Sequence, residues 1–299
     1  MPFPLGGTEM FFYQLLAGLS VGCIYALVAL GYSLIFASIR LLHFAQGDLL
    51  MIGGFFALSM VLGLKLGLYT GIIMVMVAVA VLGFFIERIA YRPIPQRMIA
   101  ARIMATLGIG LILRNMAVII WGPQPRGLPH QVFSGAPIKL PGMVIPPAYY
   151  LVLIISVSIM ILLTLFLGKT KLGLAMRTTA HDQNLAELMG IETSRVMSLS
   201  FMIGAALAAA AGMLVAPVTF ISQNMGFRLG IKGFAAAVLG GFGNIPGSMI
   251  GGLALGLLET FGGGFISSGY KDCIAFVVLI LVLIFRPSGI LGKVHVEKV

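Results

Sequence analysis

Polar residues are rare punctuation in this chain, and the apolar positions between them run on without alternating. Eight such runs stand at 12–36, 44–62, 68–86, 103–121, 148–167, 196–220, 232–258 and 267–285. Each is close to the roughly 20 residues that a helix needs to cross a bilayer. A transmembrane barrel would instead show short segments alternating apolar and polar residues. The pattern therefore predicts an all-α, polytopic integral membrane helical bundle. Glu87, Arg88, Arg92, Pro93, Pro95 and Arg97 close the third run, and Trp121, Gly122, Pro123 and Pro125 close the fourth. The stretch 122–147 is rich in Pro and Gly without helical period, and reads as an ordered external loop.

Two segments depart from simple spans. Segment 232–258 carries a turn signal, Asn244-Ile245-Pro246-Gly247, in mid-run, with Gly240, Gly241, Gly243, Gly247, Gly251 and Gly252 around it. Its 27 residues are too few for two full crossings, so it reads as a re-entrant hairpin of two half-helices returning to the outer face. Broken backbone of this kind is tolerated only inside protein or beside a water-filled path, which points to a transporter or channel. A kinked, glycine-rich packing surface is the other reading. Segment 43–56, with a polar start and Gly53-Gly54, reads as an earlier counterpart, as in transporters with paired interrupted segments.

Composition agrees: 60% hydrophobic, 9% charged and a mean hydropathy of +1.09. Soluble domains carry about 25% charged residues, so the whole chain, 1–299, reads as one transmembrane domain with no free-standing soluble part. Lys/Arg bias sets orientation. With 37–43, 87–102, 168–195 and 286–299 inside, twelve Lys/Arg lie there against five outside: Lys65, Arg126, Lys139, Arg228 and Lys232. The N-terminus is then expected outside and the C-terminus inside, and the net charge of +10 needs no nucleic acid. Met1–Met10 has no basic region of a cleavable signal, so the first helix is expected to act as its own insertion signal. Cys23 and Cys273 sit in apolar runs and read as small buried hydrophobes.

The internal loop 168–195 carries the most telling pattern. Thr179-Ala180-His181-Asp182 has capping-box spacing, with Thr179 as N-cap and Asp182 at N3, and Gly190 stands where a helix-ending glycine would. A helix over 180–189 would align His181, Leu185, Leu188 and Met189 on one face. That face must be buried in the bilayer interface or in a groove on a partner. Gly168-Lys169-Thr170 lacks the earlier glycine of a P-loop, so no nucleotide site is visible. The four histidines, His43, His130, His181 and His295, are scattered, which argues against a metal site, and no catalytic motif appears.

Several runs resemble the permease subunits of branched-chain amino acid ABC importers. They are Ala26-Leu27-Val28-Ala29-Leu30-Gly31-Tyr32-Ser33-Leu34-Ile35-Phe36 and His43-Phe44-Ala45-Gln46-Gly47-Asp48. Ala186-Glu187-Leu188-Met189-Gly190-Ile191, then Arg195-Val196 and the Ala-rich run Gly204 to Gly212, follow in the same order, as does Val238-Leu239-Gly240-Gly241-Phe242-Gly243 up to Pro246-Gly247. Gln46 departs from the family's usual His there.

The resemblance implies a bacterial inner-membrane subunit paired with a second related permease, two cytoplasmic ATPases holding ATP and Mg, and a periplasmic substrate-binding protein. The chain itself would bind no cofactor and hydrolyse nothing. The helix at 180–189 would be the coupling helix, docked through Leu185, Leu188 and Met189, with Ala186 in the motif. Ionisable residues within spans are functional candidates, so Asp48, Arg114 and Glu259, with Gly240, Gly241 and Asn244, are candidates for the translocation path. Asp48 could instead cap its helix. The competing readings are a permease of the same fold for urea, amides or sugars, a self-contained secondary transporter or channel, and a membrane enzyme.

Overall fold

The structure, a computed structural model, describes residues 7–292 apart from 96, 134, 141, 142, 266 and 287. The basic tail positions Lys293 and Lys298, and His295, lie outside the described residues. Eleven α-helices form the described chain, with a two-stranded hairpin in the long loop. Seven of the helices are long and apolar enough to cross a membrane.

Helix α1 (Gly7–Ile39) is the hub. It is apolar all round and buried along most of its length, as a helix enclosed on every side must be. At 33 residues it is roughly 50 Å long. Helix α10 (Ile245–Phe265) lies antiparallel along it. Gly18, Gly22 and Ala26 recur every fourth residue on α1 and face Gly252 and Gly256 of α10. A methyl group at Gly22 would lie 2.9 Å from the Leu253 Cα. This is the small-residue packing that lets helices associate in lipid, where no hydrophobic gain separates a helix neighbour from an acyl chain. The seam closes with a hydroxyl pair between Ser33 and Ser248.

Helix α2 (Gln46–Leu64) and helix α3 (Leu68–Ile86) pack on helix α8 (Thr193–Val215) in the same way. Gly53 and Gly54 of α2 meet Ala209 and Gly212, and Gly83 of α3 meets Ala205 and the Phe201 carbonyl. Gly53 and Gly54 therefore do not break α2; they are packing positions within it. A π-helical turn, Glu87–Tyr91, extends α3, and Glu87 is buried there, accepting a 2.6 Å hydrogen bond from Ser198. Helix α4 (Ile99–Trp121) and helix α5 (Pro147–Lys169) show much apolar surface outward, as does helix α11 (Lys271–Phe285). Cys273 is exposed on α11, unlike the buried Cys23, so the reading of both as buried is corrected.

Among the described residues of 122–146, strands β1 (Ile138–Leu140) and β2 (Met143–Ile145) pair antiparallel. Arg126 and Ile221 exchange backbone hydrogen bonds, tying this loop to the 216–224 connection at the same end of the bundle.

Segment 232–258 is broken where the turn signal stands, but the two pieces are longer than half-helices. Helix α9 (Met225–Gly240) and α10 meet at 241–244, where Gly241 and Gly243 take positive φ. The helices overrun the expected limits because Arg228 and Lys232 are not loop residues. They sit inside α9, matched by Asp272 and Glu259, so their charges do not end the helix. The turn reaches the end of the bundle where α1 finishes: the Phe36 and Phe242 rings pack at 4.6 Å, and Ile290 donates to the Leu239 carbonyl. Of the two arms, α10 is long and apolar enough to cross a membrane, whereas α9, at 16 residues, is not among the helices that are.

Candidate functional site

Two features at different levels of the bundle carry chemistry. The first begins where α1 ends. Arg40 takes a positive φ and turns the chain back, so that α2 starts inside the bundle with Gln46 fully buried. Irregular backbone at such depth is tolerated because protein surrounds it. His43 lies between the Tyr91 hydroxyl, 3.2 Å from its Nδ1, and the ring of Phe201. Gln46 donates to the Gly204 carbonyl at 2.8 Å and pins the start of α2 to α8.

One turn on, Asp48 meets Arg114 of α4. The Arg114 Nε stands 2.6 Å from Oδ1 and Nη2 donates to Oδ2 at 3.2 Å, a two-bond geometry that gives orientation as well as energy. Asp48 makes no cap bond to α2, so the ion pair is its observed role. Gly110 leaves the room that Oδ2 occupies, and the Arg114 guanidinium lies over the Phe227 ring at 5.4 Å. A cleft of about 110 Å³ opens beside the pair, with Tyr32, Phe44 and Phe234 on its walls and Gly47, Gly226 and Gly230 along its floor. The floor exists because the α2 and α9 backbones touch there: side chains at Gly47 or Gly226 would collide with the facing carbonyl.

The other path candidates lie elsewhere. Glu259 accepts from Tyr25 at 2.8 Å and from Lys232 at 2.7 Å, and Lys232 also reaches Asp272. Gly240, Gly241 and Asn244 cluster at the α9–α10 turn. Gly240 packs on Gly247, Gly241 packs on Gly292, and Asn244 donates to the Leu291 carbonyl at 2.7 Å. The structure thus joins Asp48 with Arg114 and leaves the rest in two separate places. The contacts of Lys232 with Tyr25 and Asp272 were missed because Lys232 was read as the outer boundary of segment 232–258. Its spacing of four from Arg228 was the available signal of a shared helix face.

The second feature is the connection between α5 and α8. Helix α6 (Lys171–His181) was not anticipated; Thr170 caps it, accepting from the Gly173 amide at 2.9 Å. The next helix, α7 (Gln183–Leu188), has only six residues. Asp182 is its N-cap, accepting from the Asn184 and Leu185 amides at 2.8 and 3.1 Å. Gly190 turns the chain with φ +81°, in the role expected of it. Ala186 is buried against the bundle, whereas Leu185, Leu188 and Met189 project outward, Leu188 being 84% exposed. Gln183, the first residue of α7, donates to the Ser38 carbonyl of α1 at 2.6 Å, and Arg40, just past α1, donates to the Ala180 carbonyl near the end of α6 at 2.6 Å.

Residues 14–283 match the family model described as "Branched-chain amino acid transport system / permease component". The chain is 38% identical to the high-affinity branched-chain amino acid transport system permease protein BraD of Pseudomonas aeruginosa, over 97% of this chain and 99% of that protein. It is 37% identical to the permease protein LivH of Escherichia coli K12, over 98% and 100% of the two. The chain belongs to the branched-chain amino acid transport system permease family. The permease also shares its fold with PsaBC from Streptococcus pneumoniae in complex with Fab, at a TM-score of 0.50 and 16% identity over 94% of this chain and 93% of that one.

In this permease the second helix of the 170–192 connection is shorter than 180–189 and starts at Gln183, three residues later than expected. Thr179 is not an N-cap: it is buried within α6, and its hydroxyl has no partner among the described residues. Asp182 takes the cap because its extended backbone, φ −153° and ψ 118°, has the geometry a cap needs, and Thr179 is already helical. His181 accordingly ends α6 and does not share the α7 face. Gln46 has a packing role in the permease, through its bond to α8.

Proposed function

We propose that this chain is the permease subunit of an ATP-driven importer of branched-chain amino acids in a bacterial inner membrane. Its N-terminus would be periplasmic and its C-terminus cytoplasmic. The importer would contain a second related permease, two cytoplasmic ATPases that bind ATP and Mg, and a periplasmic binding protein that delivers substrate; lipid surrounds the permeases. The chain itself holds no nucleotide in this reading and performs no hydrolysis.

The observation that carries the proposal is the projecting tip of α7. Leu185, Leu188 and Met189 are exposed together on a helix too short to lie on a bilayer as an amphipathic anchor. Each side chain fully buried in a partner groove contributes roughly 1.5–3 kcal/mol. The bond from Gln183 makes α7 a handle on α1. Since α1 packs against α5, α8, α9 and α10, a push on α7 is felt through the bundle. ATP-driven closure of the ATPases would bias the permease between outward-open and inward-open forms through contacts that differ between the two. The orientation is supported by the basic loops. With Arg228 and Lys232 located inside α9, the outer end holds fewer Lys/Arg than the loop count assigned to it.

The test is copurification from the native membrane, with companion subunits identified by mass. The expected result is one related permease and a pair of ATPases, with ATPase activity stimulated by the loaded binding protein and leucine, isoleucine or valine. A chain that purifies without an ATPase and transports without ATP would refute the proposal. Stimulation by urea, amides or sugars in place of the amino acids would refute its substrate.

A further inference from the structure

We propose that the Asp48–Arg114 pair is a headgroup site for a zwitterionic amino acid inside the permease, which deepens the function proposed above and rests on it. The pair lies within the bundle, where a charged side chain is expensive and by default faces a cavity or a partner. Asp48 is 2% exposed, but the Arg114 side chain is 33% exposed, in the middle of α4 and on the cleft. An arginine carries five N–H donors. Asp48 engages Nε and Nη2, leaving Nη1 and the second Nη2 proton available to another acceptor.

The cleft's composition narrows the ligand. Asp48 and Arg114 are the charged residues among those lining it, and they cancel. A lone anion there would meet the Asp48 carboxylate and a lone cation would meet Arg114. A molecule with one ammonium and one carboxylate, a few ångströms apart, satisfies both. The carboxylate would take the open Arg114 donors, and the ammonium would approach Asp48. The side chain would lie on the aromatic walls formed by Phe227 and Phe234. The glycine floor is closed backbone on backbone, so the apolar tail would lie against the aromatic walls and Ile231. The site thus selects for net neutrality with separated charges plus an apolar tail. Urea and sugars lack the charges.

The experiment uses the complete importer in vesicles, comparing wild type with Asp48→Asn and Arg114→Lys. Three quantities are read: KM and maximal rate of ATP-driven leucine uptake, equilibrium binding of tritiated leucine to the purified complex without the binding protein, and thermal stability of that complex. Losing a charge-assisted contact should weaken leucine binding about tenfold or more. Arg114→Lys keeps the charge and so keeps the complex assembled, yet loses the forked donor set. In wild type, 3-methylbutylamine and 4-methylpentanoate, each lacking one of leucine's charges, should compete at least about tenfold less well than leucine. Variants that lose stability while leucine binding and uptake stay at wild-type values would overturn the site and leave a pair that only joins α2 to α4. Equal competition by either singly charged analogue would overturn it too. Wild-type vesicles without ATP-driven leucine uptake would instead overturn the function on which the site rests.

Discussion

A charge placed in an apolar bundle must be matched where it stands, and Glu259 shows what that requires. Its two carboxylate oxygens are divided between Tyr25 and Lys232, and both it and Lys232 are more than nine-tenths buried. Breaking a buried pair costs about 3–5 kcal/mol when the remaining charge is left alone; here Lys232 keeps the half-exposed Asp272, so the loss is a part of that. Glu259→Ala should therefore lower the thermal midpoint in detergent sharply. Glu192→Ala, which removes an exposed pair with Arg195, should barely move it. Equal shifts would show that the buried network contributes nothing special. At this scale the sequence was half legible. Asp48, Arg114 and Glu259 stand out as charges in apolar runs, but periodicity cannot tell which of them meet. Asp48 and Arg114 are 66 positions apart, and only the packing of α2 on α4 joins them.

Helices were legible where hydrophobicity alone decides them and less so where caps compete. The turn within 232–258 was visible in its glycines, because only residues free to adopt positive φ suit positions such as Gly241 and Gly243. The lengths of α9 and α10 were not, because hydropathy marks Arg228 and Lys232 as breaks in an apolar run although both residue types suit a helix, and Lys232 is matched in the interior by Glu259. In the α5–α8 connection, Thr170, Thr179 and Asp182 all qualify as caps by type, and backbone conformation chooses the first and third. This reverses what a capping box at Thr179 implies. Thr179→Val should leave stability unchanged or raise it, since it removes a buried hydroxyl without a partner. Asp182→Ala should cost about 1 kcal/mol of α7 and speed amide exchange across 183–189 roughly fivefold. Slower exchange in Asp182→Ala, or marked destabilisation by Thr179→Val, would reinstate the capping box. The α1–α10 seam makes a second prediction. Gly252→Leu must push against the Ala26 backbone, whereas Gly108 on α4 faces open space. Folded yield in detergent should collapse for the first and hold for Gly108→Leu. Equal yields would deny that the seam is tightly packed.

For the whole molecule, the membrane class and the family were plain in the sequence. They rest on long unbroken apolar runs and motifs kept in order. What the sequence could not supply is how the parts transmit force. In the function proposed, that link is α7, whose apolar tip points away from the bundle and whose first residue, Gln183, is bonded to α1, the helix that the others surround. On that proposal the permease is a driven element whose drive enters at one small surface. ATP-driven leucine uptake by the reconstituted importer, wild type against Leu188→Asp at matched membrane insertion, tests this most directly. A carboxylate at the centre of the docking surface should uncouple the ATPases and abolish most of the uptake while the chain remains folded and inserted. Undiminished uptake by Leu188→Asp would contradict the account.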